Sequence, residues 1–203
     1  MIARSAIDLR LNTPVTPEYA EAIGPDVIIA AMGSTPIVPN IPGIDSENVF
    51  CAEDIYRNPE SVGKKVVILG AGLVGIELSF YLTRLDRSVT LVEMAPDIQT
   101  GGNTMHELCI RAEFEKMDIE RHFNSKAVGI TEDGVWCEEP SGKMFYGCDS
   151  VIYAVGQRSK TNEAIALAAC APHFNIIGDN FIPGNIAAAT HSASVIAGDI
   201  GRY

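Results

Sequence analysis

The sequence predicts an α/β fold built on a parallel sheet, and three observations carry that expectation. Val66 to Leu69 is an unbroken run of β-branched and aliphatic residues, the pattern of a parallel strand buried on both faces. Gly70 to Gly75, GAGLVG, follows at once, and Leu73, Ile76, Leu78, Phe80, Tyr81 and Leu82 then supply a helix packed back on the sheet. Comparable apolar runs leading to glycine occur on either side, at Asp26 to Ala31 before Gly33 and at Val151 to Val155 before Gly156.

Taken in order, Ala6 to Leu11 alternates and predicts a short strand. Thr16 is placed to cap a brief helix with Pro17 at its first position, ending at Gly24-Pro25. Asp26 to Ala31 predicts a buried strand. Three prolines between Pro36 and Gly43 make a stiff, extended segment, expected to connect two lobes. Val49-Phe50 predicts a short strand, and Ala52 to Tyr56 a helical turn. The central strand, turn and helix follow, then a second strand, Ser88 to Val92, ending at Glu93. Pro96 to Asn103 predicts a loop, after which Thr104 and Glu107 form a capping-box pattern for a helix to about Met117. Ile119 to Phe123 predicts a strand. Asp133-Gly134 and Ser141-Gly142 are hairpin signals separating three short strands between Lys126 and Tyr146. An antiparallel meander here replaces the usual crossover helix. A strand over Val151 to Val155, a helix near Asn162 to Ala169, a strand at Asn175 to Ile177, a Gly178-Asp179 turn and a small-residue helix from Asn185 to Ile200 complete the chain.

The central motif fits G-x-G-x-x-G, and each glycine has a physical reason. Gly70 permits the tight turn, Gly72 lets backbone approach a pyrophosphate, and Gly75 lets the helix lie close to the strand. The first N–H groups of that helix lack internal partners and, with its dipole, form an anion site. Glu93, eighteen positions after Gly75, stands where a carboxylate accepts the ribose hydroxyls of an adenosine. A 2′-phosphate there would meet a like charge, and the following Met94-Ala95-Pro96-Asp97 offers no arginine to receive it. The expected cofactor is NAD(H) in preference to NADP(H).

Nearly half of the 203 residues are hydrophobic, enough for one large domain or two small ones. A formal net charge of −11 argues against nucleic acid and anionic membrane surfaces as partners. No apolar stretch approaches a membrane span, and Arg4, Asp8 and Arg10 interrupt any signal-like run at the start. Cys51, Cys109, Cys137, Cys148 and Cys170 are odd in number and contain no C-x-x-C pair, which points to reduced thiols in a cytoplasmic protein. His106, His122 and His173 show no metal-ligand spacing.

With these residues laid out, the chain resembles the two-dinucleotide flavoprotein reductases. It is most similar to the C-terminal region of the NADH:flavin oxidoreductases that include 2,4-dienoyl-CoA reductase, trimethylamine dehydrogenase and enoate reductases. The markers are Ala31-Met32-Gly33 with Pro36 to Gly43, Gly70 to Glu77, Ala154 to Arg158, and Ile177-Gly178-Asp179. The resemblance implies a Rossmann-like NAD(H)-binding domain, residues 44–148, with a parallel sheet and a β-meander crossover. This domain is inserted in a partial FAD-domain-like α/β lobe, residues 1–43 and 149–203. By the same resemblance, Asp179 matches the acid that hydrogen-bonds the flavin's ribityl–phosphate region, and Gly33 and Gly156 match the junctions between domains. Met32 stands where threonine is usual. The family's first glycine motif, its FMN barrel and its iron–sulfur segment would precede residue 1, so the expectation is a piece of a longer protein, with FAD belonging to that whole.

The cofactor-binding set so read is Gly33, Gly70, Gly72, Leu73, Val74, Gly75, Glu77, Glu93, Met94, Gly156 and Asp179, with no catalytic side chain and no metal. Two readings stay open at several positions. Glu77 is either a residue facing the nicotinamide–flavin contact or a first-turn acid favoured by the helix dipole. Asp179 is either a flavin ligand or turn chemistry; His191 and Arg158 are either cofactor contacts or ordinary helix and surface residues. Two further expectations concern function. The first is hydride transfer from NADH to FAD in an enzyme that reduces an activated alkene, with the isolated chain inactive. The alternatives are an ADP-binding structural module without nicotinamide chemistry, or part of an NADH oxidase or disulfide reductase relative. An incomplete sheet with a free edge would favour self-association.

Overall fold

The computed structural model describes residues 4–102 and 104–202. The chain divides into two compact units, Pro36–Gln157 and the pair of segments Met1–Thr35 and Arg158–Tyr203.

Pro36–Gln157 is organised around a five-stranded parallel sheet. Its strands are β3 (Val49–Cys51), β4 (Lys65–Leu69), β5 (Ser88–Val92), β6 (Ile119–His122) and β10 (Ser150–Tyr153), in the spatial order β3-β10-β4-β5-β6. The period-2 alternation of β4 divides the core in two. Val66 and Ile68 join Ile76, Leu78, Phe80, Leu82, Leu91 and Ile152 on the face covered by helix α3 (Leu73–Arg84). Val67 and Leu69 join Val92, Val135, Ile130 and Val151 on the other face. That second face is covered by the meander β7 (Lys126–Thr131), β8 (Gly134–Glu139) and β9 (Gly142–Gly147), paired in the order β7-β8-β9. Both hairpins turn where Asp133-Gly134 and Ser141-Gly142 place them, with positive φ at Gly134 and Gly142. Helices α2 (Ala52–Arg57) and α4 (Thr104–Phe114) add Ile55, Ile110 and Phe114 to the core on the α3 side. Thr104 is already inside α4, and Glu107 bonds Arg111 and Thr100.

In the other unit, helix α1 (Pro17–Ile23) starts as its sequence predicts: the Thr16 hydroxyl accepts the Tyr19 amide at 3.3 Å, and Gly24 closes the helix in the left-handed region. Strands β1 (Val27–Ala30) and β12 (His173–Ile176) pair in parallel. Helix α5 (Thr161–Ile165) precedes β12, and helix α6 (Ile186–Asp199) follows it, capped by the Asn185 side chain on the Ala188 amide at 2.9 Å. The chain passes between the units in β2 (Ser34–Pro36) and β11 (Gln157–Ser159), which are bonded to each other.

Several expectations are corrected. Ala6 to Leu11 forms no strand: its apolar residues Ile7, Leu9 and Leu11 are exposed, and alternation without a partner chain leaves no ladder to hold it. β1 is half-buried and not buried, with Ile29 exposed. The helix expected to Ala169 breaks after Ile165 into a separate 3-10 turn, Ala168–Cys170. The compact unit Pro36–Gln157 also takes in residues 36–43 and 149–157. The reason is packing: β10 is inserted between β3 and β4, and Ile41 and Ile44 pack on the meander-side core. Gly43 lies so close to Ile130 that an added Cβ would sit 2.2 Å from its carbonyl oxygen.

Candidate functional site

The junction between β4 and α3 has the geometry of an anion cradle. Gly70 adopts φ +109, a region closed to ordinary side chains, and an added Cβ would lie 2.5 Å from the Ala154 carbonyl oxygen. A Cβ on Gly75 would lie 2.0 Å from the Gly70 carbonyl oxygen, so α3 rests directly on the turn. Gly72 is the opposite case: a Cβ there meets nothing within 4 Å, leaving bare backbone open at the helix start. The helix ladder begins with the Ile76 amide on the Gly72 carbonyl at 3.0 Å, and no side chain caps the end. The earlier amides, those of Leu73, Val74 and Gly75, therefore point along the positive end of the helix dipole with no intrahelical acceptor.

Glu93 is buried at the end of β5, and both carboxylate oxygens are engaged. One accepts the Ala71 amide at 2.7 Å, the other the Ala95 amide at 2.7 Å. Its backbone is held as well, by the His122 carbonyl at 2.8 Å and the Ser125 amide at 2.9 Å. The carboxylate thus ties the glycine turn to the turn after β5. An ionised carboxylate has about four lone-pair sites, so two remain for a ligand's hydroxyls. Met94, beside it, is largely exposed.

A second segment is bonded to the same turn. The Gln99 amide donates to the Ala71 carbonyl at 2.8 Å, and Gln99 forms a parallel bridge with Gly72. Glu77 is exposed on the first turns of α3. Nearby Tyr56 donates its hydroxyl to the Val74 carbonyl at 3.3 Å, and its phenol is pushed up to about 12, by burial first and by the Glu77 charge second. At the far edge, Glu139 accepts hydrogen bonds from Tyr146 and from Ser125 (2.9 Å), with the His122 ring tilted against Tyr146 at a centroid distance of 4.3 Å. The Tyr146 hydroxyl above all holds the Glu139 carboxyl below its usual range.

Of the residues singled out by sequence, Gly70, Gly72, Leu73, Val74, Gly75, Glu77, Glu93 and Met94 thus gather around one turn. Gly156 follows Ala154 and Val155, whose backbone packs on Gly70; its φ is +116, and its carbonyl accepts the Ile37 amide at 3.0 Å. Gly33 and Asp179 lie in the other unit. There the Asn180 side chain accepts the Met32 amide at 3.2 Å, which brings the Gly33 and Asp179 segments together. Gly33 also has positive φ, and Asp179 accepts the Gly184 amide at 3.1 Å, the turn chemistry open to an Asp. His191 is exposed on α6 and Arg158 is exposed on β11. Sequence reasoning did not find Gln99, Tyr56 or Asn180. Gln99 lies in a loop with no periodicity, and only its pairing with Gly72 reveals it.

Among the described residues, no helix is long and apolar enough to cross a membrane, and no group of three His, Cys, Asp or Glu side chains is arranged to hold a metal ion.

A family model described as pyridine nucleotide-disulphide oxidoreductase matches residues 6–182. The chain is 31% identical over 199 residues to a cinnamate reductase of Clostridium sporogenes, covering 96% of this chain and 29% of that protein. It is 31% identical over 205 residues to an NADH oxidase of Thermoanaerobacter brockii, covering 98% of this chain and 32% of that protein. Among solved structures, a 2-naphthoyl-CoA reductase in complex with 2-naphthoyl-CoA superposes with a TM-score of 0.86 at 29% identity, over 94% of this chain and 29% of the other. The chain therefore spans about a third of the length of these relatives.

Proposed function

The chain belongs to the pyridine nucleotide-disulphide oxidoreductase family, and on that premise we propose that Pro36–Gln157 is the NADH-binding part of a longer flavin-dependent oxidoreductase. Members of this family use NAD(H) and FAD. The observation that carries the reading is the glycine cradle, in which Gly70 and Gly75 have no room for a Cβ while Gly72 has open space above bare backbone. That arrangement suits a diphosphate approaching the free amides of Leu73, Val74 and Gly75. Glu93, fixed at the end of β5, would take the adenosine ribose with its remaining lone pairs. Bound NADH would bring a two-electron hydride, and no side chain here is required to move a proton for that transfer. What the chain contributes is position: a rigid turn, an oriented helix and a sugar-reading acid. The parent enzyme would pass the electrons to an activated alkene of the enoate or enoyl-CoA class. Cinnamate, in the name of one relative, is such a conjugated acid. The isolated chain is expected to bind NADH and turn over little.

One observation favours a second reading, a nucleotide-holding scaffold without nicotinamide chemistry. Both oxygens of Glu93 already serve backbone amides, a role that needs no ligand. Calorimetric titration with NADH, NADPH and FAD, run beside Glu93→Ala, separates the two. NADH binding lost in the variant supports the first reading; wild-type protein that ignores NADH but takes up ADP supports the second.

A further inference from the structure

The segment after Glu93 is built as a strap against the glycine turn. Ile98 and Thr100 are buried and Gln99 between them is exposed, so a two-residue period turns Gln99 away from the core. Its backbone is bonded in the register of Gly72, the one glycine of the motif with open space above it. Its side-chain amide turns back on the Asp97 carbonyl at 3.0 Å, an interaction that occupies one of its two N–H donors. The strap is anchored from behind. The Asp97 carboxylate accepts the Ile98 amide at 2.7 Å and pairs with Arg111 at 2.6 Å, and Arg111 also holds Glu107 at 2.7 Å, which in turn accepts the Thr100 hydroxyl at 3.4 Å. Arg111 thereby offsets two carboxylates that would otherwise stand uncompensated near a site for anions.

Resting on the NADH-binding reading above, we propose that Gln99 is a further nucleotide-contacting residue, donating its side-chain amide to the diphosphate over Gly72, and that Arg111 is its positioning residue through Asp97. The contact is with the diphosphate and not the nucleoside, because Gln99 is registered with Gly72 and not with Glu93. Glutamine is neutral, so it adds a directed donor where the surrounding charge, with Glu93, Asp97 and Glu107 against Arg111, is already net negative.

The test is calorimetric titration of the chain with NADH, ADP and adenosine, for wild type, Gln99→Ala, Arg111→Met and Arg111→Lys, at low and high salt. The expected result is about a tenfold loss of NADH and ADP affinity in Gln99→Ala, as for one hydrogen bond to a charged group, with adenosine affinity unchanged. Arg111→Met is expected to weaken ADP at low salt and to recover part of the loss at high salt, where the two half-buried carboxylates are partly screened; Arg111→Lys is expected to retain most of the wild-type affinity. Wild-type ADP affinity in Gln99→Ala, or an equal loss for adenosine, overturns the contact. A salt-independent loss in Arg111→Met overturns the positioning role. Wild-type protein that binds neither NADH nor ADP overturns the underlying reading itself and the contact with it.

Discussion

The carboxylate of Glu93 accepts the Ala71 amide at 2.7 Å, which joins the end of one strand to the glycine turn at the end of its neighbour, twenty-two residues earlier. This bond ties the acid at the end of β5 to the glycine turn after β4. Beside this structural role, Glu93 has the ligand role proposed above.

The first prediction follows from that double role. Glu93→Ala leaves the Ala71 and Ala95 amides without their acceptor and is expected to cost about 2–6 kcal/mol of stability, from roughly 1–3 for each of the two unsatisfied groups. Glu93→Gln keeps one acceptor oxygen but turns an NH₂ toward the other amide, so an intermediate loss is expected. Urea denaturation measures both, and an unchanged midpoint in Glu93→Ala would contradict the clamp.

The glycines separate fold from function. Gly75→Ala forces a methyl group to 2.0 Å from the Gly70 carbonyl oxygen and is expected to destabilise the unit by about 1–3 kcal/mol, the usual range for overpacking. Gly72→Ala meets nothing within 4 Å and has an ordinary φ of −75. It should fold with at most about 1 kcal/mol lost at the helix cap while losing NADH affinity, because the methyl group occupies the space left for the diphosphate. Thermal melting paired with fluorescence titration reads the two effects apart.

Selectivity between nicotinamide cofactors is the third prediction. A 2′-phosphate about 4 Å from the Glu93 charge costs roughly 1 kcal/mol per charge pair at the dielectric of water and ~4 at an effective value of 20. NADH is therefore expected to bind about tenfold more tightly than NADPH, or better. Competition titrations giving equal constants would remove Glu93 from the sugar site.

The fourth concerns pH. Glu139 is held below the usual carboxylate range in the folded protein, chiefly by the Tyr146 hydroxyl. A carboxyl with a depressed folded pKa contributes stability that is present above its unfolded pKa and lost as pH falls through the folded one. Stability should therefore drop on acidification below about pH 4–5, where free glutamate begins to protonate. Glu139→Gln should lower stability at neutral pH and flatten that acid limb. Melting temperature against pH, for both proteins, tests it; parallel curves would assign the acid limb to other groups.

Much of this molecule was legible in its sequence, for reasons that lie in local chemistry. The apolar run of β4 demanded a strand buried on both faces, and the structure covers one face with α3 and the other with the meander. Thr16-Pro17 marked a helix start because capping uses the next two or three amides. Asp133-Gly134 and Ser141-Gly142 marked hairpins because few residues adopt positive φ. Ala6 to Leu11 misled for the converse reason: alternation describes a face, but a strand exists only where another backbone completes its hydrogen bonds.

By itself, then, the sequence determined the strand–turn–helix unit at Gly70 to Gly75, the acid at the end of the following strand, the meander and the family resemblance. Each depends on side-chain period, backbone freedom or spacing within a few residues. Only the tertiary structure decided that β10 sits between β3 and β4, that residues 36–43 belong to the central unit, that Glu93 holds Ala71 and Ala95, and that Gln99 stands in register with Gly72. Those are pairings between distant stretches of chain, fixed by which buried amides and carbonyls find partners once the core has closed, and no local pattern encodes them.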